Sequence, residues 1–273
     1  MIFRSLTQKI KFLSASLMAL SATTMFAPMA NAATPYDLTL LPVNEVRNGP
    51  TIPADGDYRK VAMDLYAKNS QMYDEVAHNL YDFYNDVANS KTKSIMIDDF
   101  VAYSAAGMLD TTGFSVVNGK FQNGPNTYPL YNFVFACANT MIHDQVKKED
   151  VKADWFGACH FFIPVAMAYG QSLQMFESAL YMTAYYALEQ LPAKELTPSE
   201  KEAQTLIKTG LESLSKGDIA NFEKTLAFRF EPLPALESPE MKQNLEVLNK
   251  YVSHLGFKVV LENPTPATKQ TKK

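Results

Sequence analysis

Between Phe156 and Tyr169 nearly every side chain is apolar, whichever way a helix is turned: Phe156, Ala158, Cys159, Phe161, Phe162, Ile163, Val165, Ala166, Met167, Ala168 and Tyr169. The run thins but continues through Leu173, Met175, Phe176, Leu180, Met182, Tyr185 and Leu188. A helix apolar on all sides has to be surrounded by other elements. The sequence therefore predicts an all-α fold, a multi-helix bundle around a central apolar helix over about 155–190, ended by Leu191-Pro192. Pro164 predicts a kink or break near Phe161, because proline lacks the N–H and its ring crowds the preceding turn. Trp155–Phe176 carries no charge and is long enough to span a bilayer. Pro164, His160, Gln171, Ser172 and Gln174, with a helical pattern that continues beyond the stretch, favour a core helix instead.

The first 32 residues have the three regions of a secretory signal peptide. Arg4, Lys9 and Lys11 make a positive start, Phe12–Met29 is mostly apolar, and Ala30-Asn31-Ala32 places small side chains where signal peptidase reads. Cleavage after Ala32 leaves 241 residues, enough to bury a large core. That start carries +3 and no acid, so the charge falls from −4 to −7. With no basic surplus, nucleic acid is excluded as an expected partner. Residues 33–55, with Pro35, Pro42, Pro50 and Pro53, read as an extended arm.

A helical core domain is expected over 56–191. Its first helix is predicted over Asp57–Ala88. There Val61, Leu65, Met72, Val76, Leu80, Phe83 and Val87 form one stripe. Tyr66, Tyr73, Tyr81 and Tyr84 border that stripe, a position that buries the ring and wets the hydroxyl. Ile95–Leu109 and Leu130–Val146 read as further helices. Between them, Phe114–Val117, Asn118-Gly119 and Lys120-Phe121 predict a small β-hairpin insertion near 114–122, lying against the helices or serving as a contact loop. Helical hairpins packed on the core are expected over 196–262. Thr197-Pro198-Ser199-Glu200 has capping-box spacing. Gly217 stops that helix at about Ser215, and Asp218 caps a shorter one. After Pro232 and Pro234, Ser238-Pro239 begins a helix to about Leu255, and Phe257–Leu261 could form a short strand. No period repeats along the chain. Residues 263–273 have nothing apolar to bury and read as a disordered tail.

Cys137 and Cys159 are the most informative pair. Their midpoint falls in the polar turn Lys147–Asp150, so an antiparallel helical hairpin brings them level, and an exported chain is expected to oxidise them. The alternative, a metal site with His160, lacks a fourth ligand. By the same arithmetic His143 and His160 sit about 10 Å apart along the axis, so they do not pair. One of them is expected to be a buried, hydrogen-bonded core residue. Glu75 and His78 have the spacing of half a di-metal motif. With Asp74 and Asp82 they lie opposite the apolar stripe, facing solvent. Glu177 stands alone among apolar neighbours, where it would be functional, or reach the surface, or pair with a hydroxyl such as that of Tyr181 one turn on.

These observations order three readings of function. The first is an exported, periplasmic protein with a non-catalytic binding, adaptor or envelope-assembly role, its partner another envelope protein. It needs no cofactor, no metal and no transmembrane helix in the mature chain. The second is a carrier of a hydrophobic ligand, a lipid or a haem-like molecule, in an aromatic- and Met-lined cavity bordered by His160, Tyr169, Met175, Glu177 and Tyr181. The third is an enzyme using His160, Cys159 or Glu177, although no sequence motif for catalysis is present.

Overall fold

The structure, a computed structural model, describes residues 56–118, 120–169, 173–189, 191–226 and 237–261. The expected signal peptide, N-terminal arm, Pro232/Pro234 connector and tail lie outside them. In chain order the elements are α1 (Tyr58–Lys68), α2 (Ser70–Ala88), β1 (Ser94–Met96), α3 (Ile97–Thr112), β2 (Ser115–Val117), β3 (Lys120–Gln122), α4 (Thr127–Ile142), α5 (Asp154–Tyr169), α6 (Leu173–Glu189), α7 (Pro198–Ser215), α8 (Ile219–Leu226), α9 (Pro239–Val252) and β4 (Lys258–Val260). The chain is a mainly helical bundle, and the described residues include two small two-stranded sheets. No helix among the described residues is long and apolar enough to cross a membrane.

The stretch expected as one helix over 57–88 is two. Asn69 leaves helical geometry (φ −155°, ψ 55°) and its N–H bonds the Tyr66 carbonyl. The apolar stripe crosses this break, so periodicity alone gives no sign of it. Asp57 caps α1 by accepting from the Lys60 N–H at 2.8 Å. Two of the bordering tyrosines are core residues. Tyr73 and Tyr84 are almost wholly buried, and their hydroxyls donate to the carbonyls of Pro129 (3.2 Å) and Phe161 (2.8 Å). Burying a tyrosine is tolerable when its hydroxyl finds such a partner.

Helices α4 and α5 form the expected hairpin about a short 3-10 turn at Asp150–Lys152. Cys137 and Cys159 meet across it as a disulfide, Cα–Cα 5.1 Å, with both residues buried. A second tie fixes the bend. Asp150 is buried and accepts from Arg59 through Nε and Nη2, both at 2.5 Å, and from the Lys147 N–H at 2.8 Å. Gln145 adds two bonds to the start of α1, accepting from the Arg59 N–H and donating to the Gly56 carbonyl. The guanidinium holds the Asp150 carboxyl below the usual carboxylate range.

The central apolar segment differs from expectation in two ways. Helix α5 runs through Pro164 without a break. The single helix expected over 155–190 is divided instead into α5 and α6, and residues 170–172 between them lie outside the described residues. Helix α6 packs on α3. The β2–β3 hairpin forms as expected, Val116 opposite Phe121, with Asn118 at φ 50° entering the turn. It lies against α7 and presents Phe121 to Tyr181 of α6.

The capping box at α7 is complete: Thr197 Oγ1 accepts from the Glu200 N–H, and Glu200 Oε2 accepts from the Thr197 N–H. Gly210 lets α8 approach closely, since a Cβ there would stand 3.2 Å from Leu226 Cγ. Helix α9 packs on α5 and delivers β4 to pair in parallel with β1, Ile95 opposite Val259. The sequence predicted helix at Ile95, but this strand precedes α3. The Asn249 side chain serves the other edge of β4, donating to the Val259 carbonyl and accepting from its N–H, both at 2.9 Å. An amide side chain thus stands in for a third strand.

Candidate functional site

The sheath around α5 is complete only from Phe162 to Tyr169, every residue of which is buried. One turn earlier it is open. Asp154, Gly157 and His160 are exposed, and Phe156 and Phe161 are only partly buried. Residues 154, 157 and 161 share one helical face, so a strip of α5 is left uncovered where the sequence predicted an all-round covering. The expectation that His143 or His160 would be a core residue fails with it. Both are exposed, His143 stacked on Tyr58 at 5.1 Å and His160 edge-on to Phe161 at 6.0 Å.

The uncovered strip forms the floor of an open groove of about 400 Å³ between α5 and the α1–α2 pair. It is lined by the aromatic residues Tyr66, Tyr81 and Phe161 and by the small residues Ala77, Gly157 and Ala158. Tyr81 is half exposed and meets Phe161 edge-on, 5.9 Å between centroids. Asp74, His78 and Asp154 stand at the rim. Asp74 Oδ1 accepts from the Tyr66 hydroxyl at 2.8 Å. Desolvation, then Asp74 and more weakly Asp154, push the Tyr66 pKa up to about 12, so both carboxylates bear on one end of the groove. Helix α2 carries Asp74, Glu75, Asp82 and Asp86, all exposed, and α5 carries Asp154. Neither helix contains a Lys or Arg.

The residues expected to line a ligand cavity are placed elsewhere. Tyr169, Met175 and Tyr181 are buried members of the main apolar cluster. Tyr169 packs on Phe176 and reaches the Val101 carbonyl at 3.4 Å, and Tyr181 packs on Phe114 and Phe121. Glu177 is half-buried nearby, but its partners are not Tyr181. It accepts from Asn123 Nδ2 at 2.8 Å and from the Tyr128 hydroxyl at 3.0 Å. The rings of Phe114 and Phe121 hold Tyr181 in the apolar cluster. His160 is separate from this group, about 14 Å along α5 from Tyr169. Glu75, His78, Asp74 and Asp82 face solvent as expected.

Among the described residues no three His, Cys, Asp or Glu side chains are placed to hold a metal ion. Asp99, half-buried in the first turn of α3, is the other perturbed acid of note. Desolvation, then Asp98 beside it, raises its pKa to about 6. The groove residues Tyr66, Tyr81 and Gly157 were not singled out as a site from the sequence. The available signal was tyrosines on the border of a core stripe and a glycine three residues before a histidine in an otherwise apolar helix. Comparison with protein-family models, with curated proteins and with solved structures gave no match to this chain.

Proposed function

We propose that this chain is an exported binding protein of the cell envelope, which works by docking a partner protein on the α2–α5 face rather than by catalysis. The groove carries this reading: three aromatic rings, one of them half exposed, line a concavity on a scaffold fixed by a disulfide and a part-buried Arg–carboxylate pair. Aromatic side chains are enriched where protein surfaces meet, because they bury much area at low cost in conformational freedom. The disulfide supports an oxidising compartment, and with the N-terminal signal pattern it supports export.

Site-specific photo-crosslinking in cells tests the reading. A photoreactive residue at Tyr81 is expected to give a discrete cross-linked species, and the same group at exposed Val151 none. Equal labelling from both positions, or from neither, would remove this face from consideration. Fusion of a reporter enzyme that is active only after export, placed after Lys273, tests the compartment separately.

A further inference from the structure

Gly157 is the informative residue of the groove. It lies near the start of α5, where glycine is less stable than alanine because it loses more backbone freedom on folding. Glycine in a helix is usually explained by a neighbour that leaves no room for a methyl group. At Gly210 that explanation holds. At Gly157 it does not, since a Cβ built there meets nothing within 4 Å, and its backbone is ordinary helix. The fold makes no use of the missing side chain. The space it leaves is part of the groove that Tyr81, Phe161, Asp74 and Asp154 also line.

The chemistry of the surroundings selects the occupant. Aromatic faces attract a cation, and carboxylates at one end of a concavity pair with it. The residues that line the groove include two carboxylates, Asp74 and Asp154, and no Lys or Arg; His78 is the one basic side chain among them. We infer that the groove receives an arginine or lysine side chain from an extended basic segment of a partner protein, its stem over Gly157 alongside the touching Tyr81 and Phe161 rings and its charged head against Asp74 and Asp154. This rests on the binding-protein reading above and names the partner's chemistry.

The test is a titration of the isotope-labelled full chain, followed by amide NMR, with a nonapeptide of three arginines spaced by glycines. A matched peptide carries citrulline, which keeps the shape and removes the charge. The arginine peptide is expected to shift the Tyr66, Tyr81 and Gly157 signals, with the citrulline peptide at least about tenfold weaker. Asp74→Asn with Asp154→Asn should weaken the arginine peptide by a similar factor. Gly157→Leu should abolish the shifts while the chain stays folded, and Gly157→Ala should raise the unfolding midpoint. Equal binding of both peptides at the groove would overturn the cationic assignment and leave the docking face standing. Shifts scattered over the surface, or none, would overturn the site. Concentration-dependent shifts of the same signals without peptide would assign the groove to a second copy of this chain, and also overturn it.

Discussion

The Tyr84 hydroxyl donates to the carbonyl oxygen of Phe161 at 2.8 Å, three residues before Pro164. Pro164 has no N–H, so the His160 carbonyl loses its partner four residues on, and the turn that includes Phe161 is the one a proline disturbs. A buried tyrosine from a neighbouring helix adds a donor to the carbonyl next to that orphaned one. The same bond ties α2 to α5, and residues of both helices line the groove.

Tyr84→Phe removes this donor and little else. The Phe161 carbonyl keeps the Val165 N–H as its helical partner, so the loss is that of one hydrogen bond, about 0.5–1.5 kcal/mol, and the variant should unfold at lower denaturant concentration. Tyr81→Phe, at the half-exposed neighbour, should change stability by less than about 0.5 kcal/mol. Equal effects of the two substitutions would refute this account of α5.

The disulfide closes a separation of 22 residues. In the chain-entropy model such a crosslink stabilises by about 3 kcal/mol. Cys137→Ala with Cys159→Ala should lower the unfolding midpoint by at least that equivalent, and reductant should lower the wild type but not the double variant. A reductant effect on both proteins would point to another cause.

Two acids predict opposite responses to pH. Asp150 has a lowered folded-state pKa, from the Arg59 hydrogen bonds first. Its stabilisation is full above the unfolded value near 4 and is lost as pH falls through the folded value. Asp150→Asn should therefore be destabilised at pH 7, with the deficit shrinking below about pH 4. Asp99 has a raised pKa, about 6, from desolvation first. Between its unfolded value and 6 the folded chain binds more protons, so stability falls as pH rises across that window. Asp99→Asn should exceed the wild type at pH 7 and match it at about pH 4. Denaturation midpoints at pH 3, 4, 5, 6 and 7 check both signs.

Gly124 predicts the most severe single substitution. It lies against the end of α3, where a Cβ would stand 2.2 Å from the Thr112 carbonyl oxygen and 2.3 Å from Gly113 backbone atoms. Gly113 itself is left-handed, φ 73°. Backbone cannot retreat as a side-chain tip can, so Gly124→Ala should cost at least about 3 kcal/mol. Thermal melts of Gly124→Ala beside Gly157→Ala should show a large loss in one and none in the other.

The helical elements and the disulfide were legible because each rests on a local rule. Period 3.6 gives a face, Thr197 and Glu200 give a start, and equal spacing about Lys147–Asp150 brings two sulfurs level. The break at Asn69 was not legible, because the apolar stripe passes through it without a change of phase. Nor was β1, whose partner Lys258–Val260 is remote in sequence and whose three residues carry no alternation of their own. The groove was missed for a related reason. Apolar residues on every side of α5 promise neighbours on every side, but Phe156 and Phe161 are only partly buried, and sequence alone does not distinguish a covered ring from a partly exposed one.

The pairing of Ser94–Met96 with Lys258–Val260 makes order of arrival matter. An early segment depends on a strand that leaves the ribosome, and crosses any translocation channel, after all the helices. Until it arrives, both edges of β1 are bare hydrogen-bonding groups open to the wrong partner. A chain clipped ahead of Lys258 would keep its helices and lose its latch. Its expected fate is association through that exposed edge and early proteolysis.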